Sequence, residues 1–116
     1  MTIQIATTRQ NLADRYGTLG NFIGCATGNP GTTTTPANEV SGGGYARVTT
    51  TWSSSTGGVI NGTAATINVP ASTIAWIILA SAATTGAANA IDYADTTDIT
   101  FSAAGSAIVT PTFSIS

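Results

Sequence analysis

From Phe22 onward, apolar residues come in short β-branched and aromatic runs separated by Gly, Pro, Asn and Ser, which is the rhythm of strands and turns. Seven runs read as strands: Asn21–Ala26, Tyr45–Trp52, Ala64–Val69, Ile74–Ala82, Ala90–Tyr93, Asp98–Ser102 and Ile108–Ser116. In Tyr45–Trp52 the apolar Tyr45, Val48 and Trp52 share the run with Arg47 and three threonines, as on a strand with one wet face. Ile74–Ala82 is almost continuously apolar and predicts the centre of a sheet, covered on both faces. Along Ile108–Ser116, Val109, Pro111, Phe113 and Ile115 share one parity while the threonines and serines share the other, a period of two.

Ahead of these runs, Thr7–Tyr16 alone combines good helix formers with an absence of Gly and Pro. Leu12 and Tyr16 form a narrow apolar stripe, Thr7 or Thr8 can cap, and Gly17 with Gly20 can stop the helix, which is expected at about residues 7–17. Between strands, Asn29-Pro30-Gly31 with Thr32–Thr35 and Pro36 cannot be helical, and Asn61-Gly62 predicts a tight turn. No fixed-period repeat occurs, so a solenoid with threonine ladders is not expected. The pattern predicts one mostly β domain over residues 1–116, a β-sandwich or jelly-roll-like barrel with one short N-terminal helix.

Charged residues make up 7% of the chain, far below the usual share of about 25%. There is no His and no Lys, which removes imidazole chemistry, Schiff bases and a phosphate-loop lysine. Cys25 is the only thiol, so an intrachain disulfide or a thiolate zinc site is impossible. With Arg9, Arg15 and Arg47 as the cations and a net charge of -2, the chain lacks the basic footprint of a nucleic-acid binder. Its longest apolar run is far short of the roughly 20 residues of a membrane-spanning helix, so no membrane partner is expected. Met1–Ala6 has neither the positive segment nor the long apolar segment of a secretory signal, and export by that route is not expected. The polar load rests on Thr, Ser, Asn and Gly, a weakly charged surface suited to a permanent packed assembly.

Candidate chemistry is sparse. Asp92, Asp95 and Asp98 recur every third residue, which suits a cation loop in principle, but no glycine pivot or terminal glutamate accompanies them. They read better as a solvated hairpin turn whose acids cap backbone amides. Nothing selects a carboxylate pair for glycoside hydrolysis, and the many hydroxyls lack the usual activating base, so no enzyme and no cofactor are expected. Cys25, in the apolar Phe22–Ala26 run, reads as a small core hydrophobe. Most of the eight aromatic residues are needed for the core; exposed Trp or Tyr would instead suit sugar binding, the alternative for a small β domain.

The segment Gly28-Asn29-Pro30-Gly31-Thr32, followed by Ala37-Asn38-Glu39-Val40-Ser41-Gly42-Gly43-Gly44-Tyr45-Ala46-Arg47 and Trp52, resembles a family of small virion proteins of tailed bacteriophages. Its members are described as tail-fibre or minor tail proteins. The match covers about residues 27–52; Asn29 stands where an aspartate is common, and Ile23–Thr27 departs from a Leu-His-Thr-like run of some relatives. The resemblance implies a non-enzymatic structural part of a phage particle, with capsid decoration and a carbohydrate-binding module as alternatives. It also implies a virion location after assembly in the host cytoplasm, with other virion proteins and further copies of the chain, expected as a trimer, for partners.

Physically, Glu39 and Arg47 flank the glycine run and can close it as an ion pair, while Gly42–Gly44 can turn through positive φ before Tyr45. The connection Asn29–Gly44 is long for a compact domain, and Val40 stands among polar neighbours as an anchor would. Asn38, Glu39, Val40, Tyr45 and Arg47 are therefore expected at an assembly contact.

Overall fold

A computed structural model describes residues 2–116. Helix α1 (Ala6–Leu19) is followed by β1 (Phe22–Ala26), β2 (Val48–Thr49), β3 (Trp52–Ser54), β4 (Val59–Gly62) and β5 (Ala65–Val69). Then come β6 (Ser72–Ala80), β7 (Ala90–Phe101), β8 (Gly105–Val109) and β9 (Thr112–Ser114). The strands form a four-stranded sheet of order β2-β1-β6-β7, a three-stranded sheet β3-β4-β9 and a two-stranded ribbon β5-β8, all antiparallel. No sheet closes on itself among the described residues, so the fold is a small β-sandwich and not a barrel.

The apolar run in β6 does lie between two neighbours, β1 and β7, and is covered on both faces. Ile77 and Leu79 join Ile23, Cys25, Ile67 and Val69 in the interior of the sandwich. Trp76, Ile78 and Ala80 meet Ala26, Ala90 and Tyr93 on the opposite face. Ile74 belongs to the interior although its parity is that of Trp76, because the β6–β7 register shifts between Ile74 and Trp76.

Several boundaries differ from the sequence pattern, each for a reason of packing. Tyr45–Trp52 is not one strand: β2 pairs with β1 and β3 pairs with β4, and the chain changes sheet at the buried Thr50, whose hydroxyl donates to Thr63 O at 2.7 Å. Ile108–Ser116 likewise breaks before Pro111, since β8 pairs with β5 and β9 with β4; its two-residue alternation of half-buried and exposed positions nonetheless runs from Ile108 to Ser116. The turn expected at Asn61-Gly62 lies instead at Gly57 and Gly58, which have φ of 74° and 105°. Gly62 is inside β4 opposite Trp52, where a Cβ would come within 2.6 Å of Pro111 Cγ, so close approach demands the glycine.

The three aspartates do not form a hairpin turn. Ala90–Phe101 is one twelve-residue edge strand, long enough to follow β6, and Thr96–Asp98 take up the register shift opposite Ala75. The helix runs beyond its expected limits, from Ala6, and its N-cap residue is Ile5, with no side-chain cap, so neither Thr7 nor Thr8 caps it. Gly17 stays helical under Trp52 and Ile60. Gly20 ends the helix in extended backbone; its Cβ would lie 2.5 Å from Ala80 O, so contact rather than left-handed φ requires the glycine.

α1 is held to the three-stranded sheet by polar clamps as much as by apolar contact. Gln10 donates to Val59 O and accepts from the N–H groups of Gly58 and Val59, while Arg9 Nε donates to Gly57 O at 2.9 Å. Trp52 ties the helix end to the sheets: its indole N–H donates to Gly20 O at 2.9 Å and its ring meets Tyr16 edge to face.

Candidate functional site

The segment after β1 leaves the sheet, loops out and returns to the same edge. Val40 N–H donates to Cys25 O at 3.0 Å, and Ala26 and Glu39 form an antiparallel bridge. Strand alternation then sends residue 39 to the outer face of the four-stranded sheet and residue 40 to the interior. Val40 is buried in the core with Ile23, Cys25 and Val69. Val40 thus anchors its own loop to the core.

Within the loop, the Asn29 side chain accepts from Gly31 N–H at 2.9 Å, an Asx turn that sets up the positive φ of Gly31. Asn38, itself at φ 59°, donates its side-chain N–H to Asn29 O at 2.9 Å, and its carbonyl accepts from Thr27 N–H at 3.0 Å. Pro30 and Pro36 are buried beneath this closure. Asn is among the few residues that tolerate left-handed backbone, so Asn29 and Asn38 lock the two ends of the loop together. Farther on, Gly43 sits at φ 62° with Pro70 against its α-carbon, and Tyr45 N–H donates to Gly42 O to start the return strand.

Glu39 and Arg47 meet on the outer face of β1. Arg47 Nε donates to Glu39 Oε2 at 2.8 Å and Nη2 to Oε1 at 2.9 Å, a two-point pair. Both side chains are almost wholly buried, Arg47 at 0% exposure and Glu39 at 6%. Tyr45 adds a third donor, its hydroxyl to Oε2 at 2.7 Å, and accepts from Cys25 N–H at 3.0 Å. The second guanidinium arm donates to Ala82 O at 3.0 Å and Asn89 Oδ1 at 2.8 Å, which binds the motif to the Ser81–Asn89 connection. Gly24 makes room for the group: a Cβ there would overlap the Tyr45 hydroxyl and crowd Glu39 Oε2 and Arg47 Cγ.

The electrostatics follow from burial. Burial raises the Tyr45 pKa well above its usual value and the adjacent Glu39 carboxylate reinforces this, so the phenol remains a donor. The Cys25 thiol is pushed up to about 12 by burial and by the charge of Glu39. For Arg47, burial is the largest influence and works against the charge, but the hydrogen bonds and charges of Glu39 and Tyr45 together outweigh it and hold the pKa above its ordinary value.

Of the residues expected to act together, Asn38, Glu39, Val40, Tyr45 and Arg47 do lie in one loop and its closure, with Asn38 exposed, Tyr45 partly covered, and Val40, Arg47 and the Glu39 side chain buried. The sequence reading missed Gly24, Cys25 N–H, Ala82 O and Asn89, which no local pattern marks as partners. The remaining acids are dispersed: Asp92 accepts from the Tyr16 hydroxyl at 2.7 Å, and Asp14 from Gln10 and Ser54. Among the described residues no three potential metal ligands come together. A family model described as Podophage GP4 fiber I protein gp80 matches residues 19–92, a span that contains the whole loop and its buried network. No curated protein and no solved structure matches the chain.

Proposed function

The chain belongs to the podophage fiber I protein family, and from that premise we propose that it is a non-enzymatic structural part of a phage tail fibre that works as a homo-oligomer. The observation that carries this reading is the buried Glu39–Arg47–Tyr45 network, which uses its charged groups to hold a loop in shape. With two guanidinium bonds, a phenol bond and a longer one from Gly86 N–H at 3.4 Å, the four lone-pair sites of the Glu39 carboxylate are engaged within the protein. The motif therefore specifies a rigid surface, whose exposed parts, Ala37–Asn38 and Ser41–Gly44, are available to a neighbouring protein.

Contact between copies has a second support. Ile5, Leu12 and Leu19 are exposed at 65%, 45% and 42% and stand seven residues apart, so they line one flank of α1. Such a row of exposed apolar side chains gives a second helix a stripe to pack against. The deciding experiment is quantitative mass spectrometry of purified particles, combined with light scattering of the isolated protein. A fibre component gives a few to a few dozen copies per particle and an oligomer in solution. Hundreds of copies would place the protein on the head as a decoration protein instead.

A further inference from the structure

We propose that the exposed flank of α1 docks in the cleft between β7 and β9 of a second copy, and that two copies exchange this contact about a two-fold axis. The inference rests on the homo-oligomer reading above and names the surface that carries it. The cleft exists because the four-stranded sheet is wider than the layer that covers it. Ala94 pairs with Ile77 and Ile99 with Ile74, both on the interior face, yet Ala94 is exposed and Ile99 is 48% exposed. Between Ala94 and Phe113 lies a space of about 370 Å³, lined by these two residues, Ile77 and Leu79 together with Tyr16 and Asp92.

Charge selects the occupant. The lining includes Asp92 and Asp95 and no cation. Asp92 accepts from the Tyr16 hydroxyl at 2.7 Å, a neutral donor that leaves the negative charge in place. Two of the three arginines are engaged, Arg47 with Glu39 and Arg9 with the carbonyls of Ile3 and Gly57. Arg15 is exposed and makes no side-chain hydrogen bond or ion pair among the described residues. It stands three residues after Leu12 and four before Leu19, hence on the same flank of α1. That flank offers exposed leucines and a cation to a cleft that offers apolar walls and acids. A second α1 is the poorer partner, because two such flanks bring together like charges, and Asp14, the acid of the helix, is bonded to Gln10 and Ser54. Tyr16, four residues after Leu12, belongs to the cleft, so flank and cleft adjoin as one patch. A patch that holds both a feature and its complement closes on itself about a two-fold axis and makes the contact twice.

The test is light scattering of the full chain and of two charge variants, singly and mixed. The wild type should have the mass of two chains. Arg15→Glu sets a carboxylate against Asp92, and Ala94→Arg sets a guanidinium in the cleft against Arg15. Each should raise the dissociation constant about tenfold or more and leave the melting temperature within a few degrees, because both positions are exposed. An equimolar mixture of the two variants should associate at least as tightly as the wild type. In the mixed pair the new carboxylate of one chain meets the new guanidinium of the other, and the second contact keeps its native residues. An unchanged mass in Ala94→Arg, a mixture that fails to associate, or an odd number of chains in the wild-type assembly would overturn the proposal and leave the homo-oligomer reading intact. A monomeric wild type would overturn both.

Discussion

Arg47 grips Glu39 through two parallel hydrogen bonds of 2.8 and 2.9 Å over the one position in β1, Gly24, that has no side chain. The pair spans the ends of the loop closure, and the free arm of the guanidinium reaches a second connection at Ala82 and Asn89. One arginine thus ties together two irregular segments, the loop that returns to the β1 edge and the Ser81–Asn89 connection. Arginine can do this because its five N–H donors are held in a fixed plane.

Removing the arginine should be costly. Arg47→Ala leaves the Glu39 carboxylate buried with only the Tyr45 phenol as a strong donor, and breaking such a pair costs about 3–5 kcal/mol. Arg47→Lys should recover little, as an ammonium cannot serve Glu39 and Asn89 in the same geometry. Urea unfolding checks both; a loss below about 1 kcal/mol would mean that the pair behaves like a surface ion pair.

Gly24→Ala adds one methyl group but should destabilise by about 1–3 kcal/mol, the cost of overpacking a filled site. The Tyr45→Phe/Gly24→Ala double variant distinguishes the cause. If the Tyr45 hydroxyl is the obstacle, the two effects should combine to less than their sum, which a double-mutant cycle measures directly.

Stability should fall in alkali. The Cys25 thiol has its folded pKa raised from 9.0 to about 12, and burial also raises Tyr16 and Tyr45, so the folded state binds these protons more tightly than the unfolded chain does. Their contribution is complete below about pH 9 and is lost as the pH rises toward 12. The denaturation midpoint should be level from neutral pH to about pH 9 and then drop, and Cys25→Ala should soften that drop. In the same window a thiol reagent should label the native protein only as fast as it unfolds, because Cys25 is fully buried.

If copies meet along α1, Leu12→Glu and Leu19→Glu should dissociate the oligomer and leave the monomer's melting temperature within a few degrees, since both side chains are exposed. Light scattering reports the mass and calorimetry the stability. An unchanged mass would remove the helix from the contact.

The strand content, the central place of Ile74–Ala82 and the alternation along Ile108–Ser116 were legible because apolar period is a local property of the chain. The loop motif was legible too, as Asn, Pro and Gly at those positions answer local backbone demands that Asn29, Gly31, Asn38 and Gly43 each meet. The pairing of Glu39 with Arg47 could be expected because few other charges compete for either. Gly62 misled because the same residue type serves a turn and a close approach, and local sequence does not separate the two.

The sequence by itself determined a mostly β chain without imidazole or amine chemistry, a short leading helix and a loop closed by one ion pair. Only the tertiary structure decided where strands change sheet, because Thr50 and Pro111 act through partners more than ten residues away in the chain. It also decided what is inside. Burial of Val40 and Arg47 depends on the edge that β1 offers to residues 39 and 40, and that edge exists only once β1 has found β6, about fifty residues downstream.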